Sequence, residues 1–108
     1  MNLVGLIKYL FDPKLLQTLY QEQGINQDSE ALLIYLKEKL SLNSEVEIFE
    51  IEETEDDLIL EKEGVRYIQL FPVDYAVDLI NSDLELRGKG YPDIEIAKRL
   101  LKYREKDA

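Results

Sequence analysis

Residues 45–71 read EVEIFEIEETEDDLILEKEGVRYIQLF; this stretch alone has the character of sheet, while the chain on either side is patterned as helix. Val46, Ile48, Phe49 and Ile51 alternate with glutamates, and β-branched and aromatic residues fill the apolar positions, as in a strand with one wet face. Leu58-Ile59-Leu60 and Val65 to Phe71 form two further apolar runs. Between them lies Glu61-Lys62-Glu63-Gly64, whose glycine can take the positive φ of a tight hairpin turn. The connection Glu52-Glu53-Thr54-Glu55-Asp56-Asp57 is too charged to bury and too short for a helix, which predicts an exposed loop between adjacent antiparallel strands. Three such strands leave an apolar face that flanking helices must cover.

Toward the N-terminus, Leu3, Val4, Ile7, Leu10 and Phe11 fall at helical spacing and predict an amphipathic helix over 2–11. Asp12-Pro13 ends it and opens a second, since aspartate suits the cap and proline the first helical position. Leu15, Leu16, Leu19 and Tyr20 form its stripe, and Gly24 its stop. A third helix is expected after Asn26-Gln27-Asp28-Ser29, capped by Asp28 or Ser29, with Leu32, Leu33, Leu36 and Leu40 inward and Glu30 in the first turn, where the helix dipole favours an acid.

Beyond the sheet, Pro72 opens a helix carrying Tyr75, Ala76, Leu79 and Ile80 that ends near residues 81–83. Leu84 to Gly90 is compatible with a helix extension, an edge strand on Leu84 and Leu86, or a loop, and reads best as a loop. Pro92-Asp93 begins a C-terminal helix on Ile96, Leu100 and Tyr103. The expected fold is α+β or α/β, in the order α-α-α-β-β-β-α-(β)-α. Its small sheet is mixed or antiparallel, with three strands, or four if Leu84–Leu86 joins.

The 108 residues are 45% apolar, which fits one domain spanning 1–108. Fixing such a backbone costs on the order of 100–200 kcal/mol, so the whole chain must share one core. Twenty-three acidic against 13 basic residues give a net charge of −10, which repels nucleic-acid phosphate and suits a partner protein with a basic surface. The sequence contains neither cysteine nor histidine. That excludes disulfides, thiol nucleophiles, the usual Cys/His zinc sites and imidazole acid–base chemistry. No run approaches the roughly 20 apolar residues that span a bilayer, and MNLVGLIKYLF, broken by Lys8, lacks the layout of a signal peptide. A cytoplasmic location, away from membranes, is expected.

Other chemistry-bearing patterns are sparse. The acidic run Glu52 to Asp57 lacks the spacing and the glycine of an EF-hand, and Gly88-Lys89-Gly90 fits neither a P-loop nor a dinucleotide fingerprint. Ser29, Ser41, Ser44 and Ser82 have no histidine to activate them. The seven tyrosines fall mostly beside apolar positions, as rings that pack at the rim of a core with the hydroxyl in water.

One motif carries a resemblance. Asp57-Leu58-Ile59-Leu60-Glu61-Lys62-Glu63-Gly64-Val65-Arg66-Tyr67-Ile68-Gln69-Leu70-Phe71 resembles the central hairpin of the PD-(D/E)XK nucleases, the Mrr-type restriction endonucleases and Holliday-junction resolvases in particular. There an aspartate opens one strand, a glycine turn follows, and the next strand ends in Glu- or Gln-x-Lys. The resemblance implies Asp57 as the metal-binding aspartate, Gln69 as the second site residue, Glu30 as a remote third ligand and Mg2+ as the cofactor. Phe71 stands where the family has its catalytic lysine, so the resemblance is to a degenerate member retained for binding.

The expected function is a non-enzymatic acidic protein–protein interaction module, of the immunity, inhibitor or accessory-subunit type, that needs no cofactor. Its expected contact patch is Glu52, Glu53, Glu55, Asp56 and Asp57, whose charge would steer a basic partner. Two alternatives accompany it. One is the restriction-endonuclease-like enzyme just described; the other is a homo-oligomeric structural component that self-associates through a sheet edge or through the apolar helix Leu3 to Phe11.

Overall fold

The apolar run Leu32-Leu33-Ile34-Tyr35-Leu36 is where the chain departs from the helical pattern. In the computed structural model, which describes residues 1–82 and 90–107, Leu32–Lys37 is strand β1, not a third helix. Leu33, Ile34, Tyr35 and Leu36 are all buried, because β1 lies inside the sheet with both faces covered. A run apolar at every position serves a helix or a doubly buried strand equally well, and periodicity alone does not separate them. The expected cap is a turn instead, in which Asn26 Oδ1 accepts from the Asp28 N–H at 3.0 Å.

The remaining elements are α1 (Leu3–Phe11), α2 (Pro13–Glu22), β2 (Val46–Glu50), α3 (Ile51–Thr54), β3 (Ile59–Lys62), β4 (Val65–Pro72), α4 (Val73–Ser82) and α5 (Asp93–Asp107). The fold is α+β, and its described order is α-α-β-β-α-β-β-α-α. The four strands form one antiparallel sheet in the order β2-β1-β4-β3. Its fourth strand is β1; the strand considered at Leu84–Leu86 lies outside the described residues.

Local chemistry sets the ends of the helices. Asn2 caps α1 by accepting from the Gly5 N–H at 2.9 Å. Asp12 caps α2 by accepting from Lys14 N–H at 2.9 Å, with Pro13 in the first turn. At the other end of α2, Gly24 takes φ +65° and Ile25 N–H returns to the Tyr20 carbonyl, a left-handed stop that glycine adopts without a Cβ penalty. In the β3–β4 hairpin, Glu63 and Gly64 both have positive φ, 54° and 80°, the signature of the two-residue turn that matches strand twist.

α1, α2, α4 and α5 lie on one face of the sheet. α1 packs against α2, α4 and α5, and α4 and α5 reach the sheet. Between them Leu3, Leu6, Ile7 and Leu10 of α1 meet Ile34, Leu36, Val46, Ile48, Leu70, Ala76, Ile80, Ile96 and Leu100 in the main core. The apolar stripe of α1, considered above for self-association, is thus buried within the chain. Where β4 pairs with β1 the register slips between Ile34 and Tyr35. Leu70 and Phe71, adjacent in sequence, both enter this core as a result. Among the described residues no helix is long and apolar enough to cross a membrane.

Candidate functional site

The sheet has a second face, and the acidic connection crosses it. β2 and β3 are the two edges of the sheet, not neighbours, so the chain from Glu50 to Leu58 must traverse β1 and β4. It does so through α3 and the turn behind it: its acids are exposed as expected, but the strands it joins are not adjacent and its first half is helical rather than a loop. Thr54 is 1% exposed and its Oγ1 accepts from Asp56 N–H at 3.2 Å. Glu55 and Asp56 then take positive φ, 53° and 61°, reversing the chain onto the face. Leu33, Tyr35 and Phe49, with Ile51, Leu60 and Tyr67 at their margin, form a small second core beneath. Its rings meet edge to face, Tyr35 on Phe49 at 5.4 Å and Phe49 on Tyr67 at 5.2 Å.

Gln69 ties this crossing to the rest of the molecule. Its backbone N–H donates to the Leu58 carbonyl at 2.9 Å, and its carbonyl accepts from Arg104 Nε of α5 at 3.0 Å. Its side-chain Nε2 donates to Asp56 Oδ1 at 2.9 Å and approaches the Tyr35 hydroxyl at 3.4 Å. That hydroxyl in turn donates to the Asp57 carbonyl. Asp57 and Gln69, paired by the nuclease resemblance, therefore lie on neighbouring segments, but Asp57 contributes its main chain, and the Gln69 amide is held by Asp56. Neither the Asp56 role nor that of Tyr35 is visible in the sequence, because both depend on a crossing whose path the strand order dictates.

The other acids divide into structural and free. Glu52 accepts from Ser29 Oγ and, at 3.0 Å, from Glu30 N–H, fastening α3 to the turn before β1. The Ser29 hydroxyl, then the Glu30 and Glu52 backbone N–H groups, hold its carboxyl below the usual value. Glu30 thus meets this corner through its backbone. Glu53 pairs with Lys62 of β3 and raises the ammonium above its usual value; the same Nζ sits 5.1 Å from the Phe49 ring centre. Glu55 and Asp57 are exposed at the surface. Elsewhere, burial and then Asp74 push the Tyr20 phenol up to about 12, so it stays protonated through the neutral range.

Alongside this acidic turn lies an apolar margin. Leu58 and Ile59 are 59% and 58% exposed, and Leu58, with Tyr75 at 42%, flanks an open hollow of about 420 Å3 that also involves Leu70, Phe71, Pro72 and Arg104. β4 outlasts β3 here, and Arg104 takes the Gln69 carbonyl where the neighbouring strand ends. The signal was present in the sequence: three consecutive apolar residues in a strand cannot all face one side, so an edge Leu-Ile-Leu exposes at least one.

Among the described residues no three acids come together in a group able to hold a metal ion. Comparison with protein-family models, with curated proteins and with solved structures returned no match.

Proposed function

We propose that this chain is an acidic protein-interaction module, of the inhibitor, immunity or accessory-subunit kind, which engages a partner protein of basic surface through the β3 margin of its sheet. The observation that carries this reading is the juxtaposition of exposed Leu58 and Ile59 with exposed Glu55, Asp57 and Glu61 on one edge. Apolar side chains supply contact area and the acids around them steer encounter, the division of labour between the core and rim of a protein interface. Of the five acids first singled out, Glu55 and Asp57 remain available for this role. Glu52, Glu53 and Asp56 are partly committed within the fold, to Ser29, Lys62 and Gln69.

Photo-crosslinking tests the reading. A photoreactive amino acid at position 55, with a control at position 17 on the exposed side of α2, is to be activated in lysate of the native source. The expected result is a protein adduct from position 55 that disappears in 0.5 M salt, on the order of three times the physiological strength, and weakens when Asp57→Asn and Glu61→Gln are added to the same chain. Adducts that are the same from both positions, or none from position 55, would overturn it.

A further inference from the structure

The two edges of the sheet are finished differently. On β2, the Met1 carbonyl accepts from Val46 N–H at 2.8 Å and Asn2 bridges to Glu45, so the N-terminal segment covers the start of that edge. On β3, the backbone groups alternate between the sheet and the outside. The Leu58 carbonyl takes Gln69 N–H and Lys62 faces Val65 across the turn, so residues 58, 60 and 62 point into the sheet. Ile59 and Glu61 point their N–H and C=O outward, with no partner for them among the described residues.

We infer that the β3 edge accepts an extended segment of the partner as a fifth strand, and that this segment carries three apolar residues bracketed by Lys or Arg. The inference rests on the interaction reading above and adds the mode of contact and the chemistry of the segment. Strand addition uses outward main-chain groups for affinity and alternate side chains for specificity. The open main-chain groups are those of Ile59 and Glu61; Asp57, whose own main chain is held by Tyr35 and Thr54, stands just ahead of them, so Asp57-Leu58-Ile59-Leu60-Glu61 presents an acid, three apolar residues and an acid. A basic–apolar–apolar–apolar–basic segment matches it in either direction, with cations opposite Asp57 and Glu61 and an apolar side chain beside the hollow at Phe71 and Tyr75.

Charge decides against a second copy of this chain as the occupant. Antiparallel self-pairing centred on Ile59 sets Asp57 opposite Glu61 of the other copy, twice over. Centring on Leu60 sets Asp57 opposite Glu63 instead. Like charges directly opposite one another destabilise a strand pair, and each copy brings a net charge of −10.

The test uses the full chain and a synthetic peptide, acetyl-Lys-Val-Ile-Val-Lys-amide, followed by amide exchange in NMR spectra. The peptide should slow exchange at Ile59 and Glu61 by about tenfold or more, leave the already bonded Gln69 amide unchanged, and lose its effect when its lysines are replaced by glutamates. Ile59→Pro removes only an outward N–H, a position where an edge strand tolerates proline. It should keep Gln69 protected and abolish the peptide's effect at Glu61.

Absence of slowing, equal slowing by the acidic peptide, or slowing that grows with protein concentration alone each overturns the inference, the last in favour of self-pairing. Salt-sensitive adducts from position 55 without edge protection would retain the interaction reading and dismiss strand addition. Failure of both experiments dismisses both.

Discussion

Gln69 and Tyr35 form the most consequential pair of side chains, because each bonds to the crossing segment from a different strand. Gln69 is buried; its amide and its main-chain N–H bind the crossing segment and its carbonyl binds α5. Tyr35→Phe leaves the Asp57 carbonyl without its phenolic donor inside a packed face, and should destabilise the fold by about 1–2 kcal/mol. Urea unfolding checks this through a lowered midpoint at unchanged slope. Because the two residues share one network, Gln69→Leu combined with Tyr35→Phe should cost measurably less than the sum of the single changes. Strict additivity would mean that the 3.4 Å contact between them carries nothing.

Glu52 offers a second check on the crossing, by pH. Its hydrogen bonds favour the charged carboxyl and lower its pKa in the fold. Their contribution is therefore complete above the ordinary 4.5 and lost as pH falls through the lower folded value. A carbon-detected NMR titration should place the Glu52 midpoint below 4.5, and Ser29→Ala, which removes the largest cause, should move it back toward that figure. A midpoint indifferent to Ser29 would leave α3 without this anchor.

At the scale of elements, what the sequence disclosed follows from whether an element is specified locally. α1, α2, α4 and the C-terminal helix carry their own caps or stripes, and the β3–β4 hairpin carries its own turn, so each was legible. β1 was not. Its Leu-rich run resembles a helix locally, and only burial between β2 and β4 makes it a strand, a tertiary fact that propensity does not contain. Reading β1 as a helix makes β2 and β3 neighbours and Glu52–Asp57 an exposed loop between them, whereas the strand order carries that segment over a small aromatic core. The contact margin suffered in the same way: the acids were visible in the sequence, whereas the exposure of Leu58 and Ile59 depends on β3 being an edge.

Two substitutions test this account of the elements. Leu36→Ala, near the end of the inner strand β1 and fully buried, should cost about 2–5 kcal/mol in urea unfolding. Glu63→Asn should act in the opposite sense, since Asn tolerates the left-handed conformation that Glu63 is held in at φ 54°. A gain of about 0.5 kcal/mol is expected from the resulting Asn-Gly turn, and a loss would contradict the assigned turn geometry.

For the whole molecule the governing quantity is the charge of −10 on 108 residues. Folding concentrates those acids, and the unfolded chain spreads them apart, so self-repulsion weakens the compact state. Three of the acids offset part of that cost by bonding within the fold: Glu52 to Ser29, Glu53 to Lys62 and Asp56 to Gln69. Glu55, Asp57, Glu61 and Glu63 are exposed along the β3 margin, and these are the charges that screening should relieve. Raising NaCl from about 20 to 300 mM shortens the Debye length from roughly 20 Å to under 10 Å. The urea midpoint should rise with it, by the equivalent of on the order of 1 kcal/mol, comparable to a few surface ion pairs. The variant Glu55→Gln, Asp57→Asn, Glu61→Gln should start from a higher midpoint at low salt and rise less. The Asp57→Asn and Glu61→Gln changes within it are also expected to weaken the partner adducts from position 55, so the two measurements together assign the acidic margin a cost in stability and a use in binding. A midpoint that falls with salt would show instead that ion pairs such as Glu53–Lys62 outweigh the repulsion, and would leave the exposed acids with no energetic signature of their own.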